Sequence, residues 1–308
     1  MALRRSLSSL TVVFGVSCAL GAAATEKTFV FSNASRTIQE FRAFAKAASR
    51  LKRYGRVQIN IGVLADKRWQ DIPAGGSPWH EYTSYNPSMA CYFPHPKLAP
   101  FLPADWVAKN RELLLAKAAV LRELGLDASF QSNETFFLPE AFFEKYPHLR
   151  GPRVDHPRRS KRAEFTWCVD LPETLEMIEW MAAELKRNVP EIQSISGHAN
   201  DSGTGFCWAA ALYSGSNGPR HCASRSAGIR FRDFALAIQR GAEKGGGKVA
   251  VHYSGNSWQQ EQDVITPLLG APAGLVRTRT ARGRGQASTV GEAPPITVRA
   301  GLPEHGIQ

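Results

Sequence analysis

The sequence predicts an α/β fold of the (β/α) TIM-barrel type, truncated after about five strands. Three observations predict it. Strand-like and helix-like segments alternate from Thr28 onward at the spacing of βα units, which calls for a parallel sheet covered by helices. Several strand-like runs end in polar residues followed by turn chemistry, as at the C-terminal mouth of an α/β barrel. Beyond about residue 269 the chain loses periodicity, and no Phe, Trp or Tyr follows Trp258.

The N-terminal residues 1–24 have the organisation of a signal peptide. Arg4 and Arg5 form a basic region, residues 10–20 an apolar core, and Ala22, Ala23 and Ala24 a small-residue cleavage site. The apolar run is shorter than the roughly 20 residues a membrane span needs. The expectation is an exported protein, secreted or periplasmic, with no membrane span.

Thr28–Phe31 reads as the first strand. Ser35 or Thr37 then caps an amphipathic helix running to Tyr54, with Ile38, Phe41, Phe44, Ala45, Ala48 and Leu51 at helical spacing and Gly55 as its stop. Val57, Ile59, Ile61 and Val63 alternate as a second strand. Residues 66–103 form a loop far longer than the usual limit of about 15 residues, a length that goes with function. It carries Trp69, Trp79, His80, Glu81, Tyr82 and Tyr85.

Asp105 caps a helix reaching Leu124, closed by Gly125, and residues 128–132 are a third strand leading into Asn133 and Glu134. A short helix at 139–146, a polar loop at 151–162 and a long helix at 171–188, capped by Asp170, come next. Residues 192–197 are the fourth strand, 225–242 a helix, and 248–253 a fifth strand ending at Ser254, Gly255 and Asn256. The partial barrel thus covers residues 25–269, and residues 270–308 are either a disordered tail or an out-of-frame product. A complete eight-stranded barrel takes about 250 residues, and long loops use many of those before the tail. The edge strands, the first and the fifth, are therefore expected to stay unpaired.

Export makes disulfides permissible, and four cysteines follow the signal: Cys91, Cys168, Cys207 and Cys222. A Cys207–Cys222 bridge would staple the loop between them, the alternative being two buried free thiols. No Cys-x-x-Cys or His-x-x-x-His spacing is present, so neither a metal nor any other cofactor is expected. The net charge of +11 is spread along the chain rather than gathered into a module, so no nucleic-acid partner is implied.

The chemistry concentrates after the fourth strand. Asn200, Asp201, Ser202, Gly203 and Gly205 place a carboxylate in glycine-rich surroundings at a strand mouth. An amide beside an acid suits sugars: Asn200 can hydrogen-bond a ring hydroxyl while Asp201 protonates the glycosidic oxygen. The competing reading is a tight turn with Asp201 bonded to its own backbone. Glu134 is a second carboxylate for the same pocket, or else a cap for the following turn. His198, His252 and Asn256 join them if their strands are neighbours, and Trp79, Trp208 and their aromatic neighbours supply flat faces for pyranose rings or ordinary packing.

The blocks SPWHEYTSYNP, CYFPHPK, NRELLLAKAAVLRELGL, FLPEAFFEKYPHLRGPRVDHPRRS, CVDLPE, NDSGTGFCW, LYSGSNGPRHC and VHYSGN resemble a family of secreted bacterial proteins that are themselves similar to TIM-barrel glycoside hydrolases. The resemblance covers about residues 32–269 and implies a sugar-active barrel without fixing a substrate. In related clans the acid/base follows strand four, as Asn-Glu in many retaining β-glycosidases or as paired acids in hexosaminidases. Asn200-Asp201 matches neither fully: Asp reaches less far than Glu, and the strand-seven nucleophile has no counterpart. The expectation is a glycoside-hydrolase-like protein acting on a poly- or oligosaccharide by carboxylate acid/base catalysis, or, if truncation has removed activity, a non-catalytic carbohydrate-binding or remnant protein.

Overall fold

The structure, a computed structural model, describes residues 27–66, 70–76, 87–132, 135, 137–156, 160–198, 205–208, 217–254, 276–278 and 297–300. Its framework is a parallel sheet built in chain order from β1 (Thr28–Phe31), β2 (Arg56–Asn60), β3 (Asp127–Ser132), β6 (Ile192–His198) and β7 (Ala250–Ser254). Each strand lies beside its predecessor, the winding of a half-barrel rather than of a doubly wound sheet. The predicted fold class is what the chain adopts.

Helices α1 (Ile38–Ala48), α2 (Ala104–Leu124), α4 (Pro172–Asn188) and α5 (Ala227–Lys244) supply the crossovers. Alternation sorts the strands into two faces. Val57, Ile59, Ala128, Phe130, Ile195 and Val251 join Phe41, Leu114, Ile178 and Phe234 of the helices in one core. Positions on the other face are polar: Gln58, Asn60, Ser129, Gln131, Ser194, Ser196 and His252. Gln58, Asn60, Ser129 and Ser194 are nonetheless buried, and the Gln58, Asn60 and Ser194 side chains bond one another or the backbone. Ser194 Oγ donates to Gln58 Oε1 at 2.7 Å. Asn60 Oδ1 accepts from the backbone N–H groups of Gly62 and Gln131.

Local chemistry accounts for most element ends. Thr37 caps α1, its Oγ1 accepting from Glu40 N, while residues 49–54 tighten into a 3-10 turn instead of prolonging the α-helix. Gly125 ends α2 in the left-handed region at φ +59°. Helices α4 and α5 approach closely because Gly241 has no side chain; a Cβ there would lie 2.2 Å from the Glu179 carbonyl oxygen.

Several expectations are corrected. Asp105 sits inside the first turn of α2, whose N-cap is Pro103, and Asp170 does not cap α4, whose N-cap is Leu171. The short helix is α3 (Glu140–Lys145), and an antiparallel pair, β4 (Arg150–Arg153) with β5 (Phe165–Trp167), takes up the start of the polar loop and the residues just beyond it. Asp155, buried with Glu164 beside it, accepts from Arg153 and from the Glu164 backbone, so charge pairing holds a segment with little apolar periodicity.

Nor do the edges stay open. Residues Val276–Thr278 form β8 against β7, and Thr297–Ala300 form β9 against β1, both parallel. Among the described residues the sheet therefore has seven strands in the order β8-β7-β6-β3-β2-β1-β9. Strand pairing uses main-chain groups, and short β-branched runs such as Thr297-Val298 suffice to satisfy an edge without a core of their own. The remainder of 270–308 lies outside the described residues. No described helix is long and apolar enough to cross a membrane.

Candidate functional site

Neighbouring parallel strands bring their C-terminal ends to one edge. Ser132 at the end of β3 pairs with Gly197 of β6, and His198, the last residue of β6, pairs with Ser254, the last of β7. Glu134 follows Ser132 by two residues, Asp201 follows His198 by three, and Asn256 follows Ser254 by two. The chain segments that carry these residues thus depart from adjacent points of the sheet.

One contact ties the first two departures together. Thr135, next to Glu134, donates its Oγ1 hydrogen to the carbonyl oxygen of Gly205 at 2.6 Å. Gly205 has φ +70°, and a Cβ on it would meet Thr135 Oγ1 at 2.6 Å, so only glycine fits. Asp201, Glu134, Asn200, Trp79, His80, Glu81 and Asn256 lie outside the described residues. His198 is placed on the sheet by its backbone. His252 is half-buried on the polar face beside Ser196 and Arg277.

Trp208 is held by its backbone more than by a binding face. It takes φ +63°, rare for a bulky residue, and its N–H donates to Asn217 O while its indole Nε1 donates to Pro219 O at 3.0 Å. The Asn217 side chain bonds both the N–H and the C=O of Arg153. This loop is therefore strapped to the β4–β5 pair.

The same loop carries a feature the sequence did not reveal. Cys207 and Cys222 are free thiols, not a bridge, and both approach Cys168, which enters from the turn after β5. The Sγ separations are 3.5 Å for Cys207 to Cys168 and 3.8 Å for Cys168 to Cys222. His221 Nε2 lies 3.5 Å from Cys168 Sγ. Asp170, two residues past Cys168, is gripped by Arg225 through one carboxylate oxygen and by Arg230 through the other. Arg230 is fully buried and also donates to the carbonyl oxygens of Cys207 and Cys222. The expected bridge is not formed in this structure, where Cys168 joins Cys207 and Cys222 in a triangle of sulfurs, a proximity that sequence separation hides.

Hydrogen bonding polarises the cluster. Cys168 receives the Cys207 S–H and, despite burial, the Asp170 backbone N–H, which lowers its pKa to about 6. Cys207, holding its proton toward Cys168 in buried surroundings, is pushed far up, and burial raises Cys222 to about 11. The only advance signal was that CVDLPE carries a third cysteine and an acid close together.

No family model matches the sequence, and no curated protein does. The chain is similar in structure to several glycoside hydrolases. One is a GH36 α-galactosidase of Geobacillus stearothermophilus, at 12% identity and TM-score 0.41, matching 74% of this chain and 28% of the other. A second is a GH138 enzyme targeting pectin rhamnogalacturonan II, at 9% identity and TM-score 0.43, matching 83% and 26%. A third is Dispersin B, at 10% identity and TM-score 0.43, matching 85% and 67%. The chain spans little more than a quarter of the length of the first two.

Proposed function

We propose that the protein is an exported, glycoside-hydrolase-like protein that acts on a poly- or oligosaccharide, with Asp201 as general acid/base, Glu134 as supporting carboxylate and Asn200 orienting the sugar. The observation that carries this reading is the bond from Thr135 Oγ1 to the Gly205 carbonyl, which joins the chain next to Glu134 to the loop that carries Asp201. Glu134 and Asp201 follow adjacent parallel strands, β3 and β6, and two carboxylates are what glycosidic bond cleavage uses: one acid to protonate the leaving oxygen, one carboxylate to act on the opposite face. The resemblance of residues 32–269 to secreted barrel proteins supports the same substrate class, and the tryptophans of the 66–103 loop and Trp208 suit the flat faces of sugar rings.

Asp201→Asn and Glu134→Gln decide the matter in a reducing-sugar release assay over a panel of polysaccharides. Loss of release by at least a hundredfold in Asp201→Asn, with retention on the same polysaccharide in a pull-down, supports the catalytic reading. Retention without release by the unaltered protein would replace it with a carbohydrate-binding one. Neither release nor retention would sink both. Export is tested by cell fractionation and by N-terminal sequencing, which should begin near Thr25.

A further inference from the structure

We infer that Cys168, Cys207, Cys222 and His221 hold one zinc ion, which fastens the loop after β6 to the turn after β5. Zinc bound to thiolate lies about 2.3 Å from sulfur, so two sulfurs on a tetrahedral ion stand about 3.8 Å apart, and a sulfur and an imidazole nitrogen about 3.5 Å. The cluster shows 3.5 and 3.8 Å for sulfur to sulfur and 3.5 Å for sulfur to His221 Nε2. Cys207 and Cys222 close the triangle within 4.8 Å. These separations are well over the about 2.05 Å of a disulfide.

The surroundings fit a closed structural site. Asp170 lies within 4.8 Å of all three sulfurs, but its two oxygens are committed to Arg225 and Arg230; His221, recorded within reach of the Cys168 sulfur alone, is the donor left to close on the ion as it binds. Charge closes as well. A divalent cation with Arg225 and Arg230 balances three thiolates and Asp170, which gives the wholly buried Arg230 a reason to be there. Three thiolates with an imidazole are the donor set of structural zinc sites, and softness excludes calcium and magnesium.

The test uses the full chain, purified under reducing conditions without chelator. Elemental analysis should find about one zinc per chain, and replacement by cobalt should give the visible bands and sulfur charge-transfer absorption of a tetrahedral thiolate complex. Cys168→Ser should abolish the stoichiometric metal, whereas Cys91→Ser, which alters a buried thiol elsewhere in the core, should retain it. His221 is exposed, so His221→Ala leaves folding intact and should weaken zinc at least tenfold in competition with a chromogenic chelator. Three results would overturn the inference. These are zinc undiminished by Cys168→Ser, zinc affinity unchanged by His221→Ala, and a disulfide among the three cysteines, found by mass spectrometry, in protein that takes up no metal after reduction.

Discussion

Thr135 donates its side-chain hydrogen to the carbonyl oxygen of Gly205 at 2.6 Å, across 70 residues of sequence, and so joins the chain leaving β3 to the loop that follows β6. Both groups are buried, so the bond cannot be exchanged for water. Thr135→Val keeps the shape and orphans the carbonyl, and the expected loss is about 1–3 kcal/mol in denaturant unfolding. Gly205→Ala should cost more, because it adds a left-handed alanine to a 2.6 Å clash. A Gly205→Ala protein as stable as its parent would show that the two loops are not held together in solution.

The buried pair of Arg230 and Asp170 makes a second prediction. Arg230→Met takes from the buried Asp170 carboxylate one of its two partners and removes the donors to the Cys207 and Cys222 carbonyls, with an expected cost of about 3–5 kcal/mol. Because Arg225 still pairs with Asp170, adding Asp170→Asn should recover part of that loss. A double-mutant cycle by chemical denaturation reads the coupling, and simple additivity would argue against direct pairing.

At the α4–α5 contact, Gly241→Ala places a methyl group 2.2 Å from the Glu179 carbonyl oxygen and 2.7 Å from the Ala182 Cβ. In an isolated helix the change would stabilise by up to about 1 kcal/mol. Here overpacking wins, and the net effect should be a destabilisation of about 1–3 kcal/mol, measured by thermal unfolding. A raised melting temperature would mean that the helices are farther apart.

Lys117 offers a pH signature. It is fully buried, with its Nζ donating to the Ser35 carbonyl oxygen at 2.6 Å and lying over the Phe41 ring. Burial, with a smaller push from Arg36, lowers its pKa from 10.5 to about 8. Between those values the unfolded chain holds more protons than the folded one, so this group's contribution to stability rises as pH climbs from about 8 to about 10.5. The full swing is on the order of 3 kcal/mol. Comparing the wild type with Lys117→Met across that window isolates it, since other titrating groups cancel. A stability difference independent of pH would place the ammonium in water.

What the sequence determined by itself is the local and periodic part. Two-residue alternation in 57–61 and 3.6-residue spacing in 38–48 each bury one face, so the βα order and the half-barrel winding were readable from apolar positions alone. Thr37 and Gly125 mark helix ends because capping is settled within a turn of chain. Tertiary structure decided whatever depends on distant segments meeting. Asp170 reads as a helix cap until Arg230 of α5 and Arg225 just before that helix claim it, and Cys207 and Cys222 read as a pair until Cys168, brought in by β5, joins them. The edge pairings of β8 and β9 were hidden for the same reason. Backbone hydrogen bonding leaves almost no trace in side-chain pattern, whereas apolar burial is written into that pattern directly.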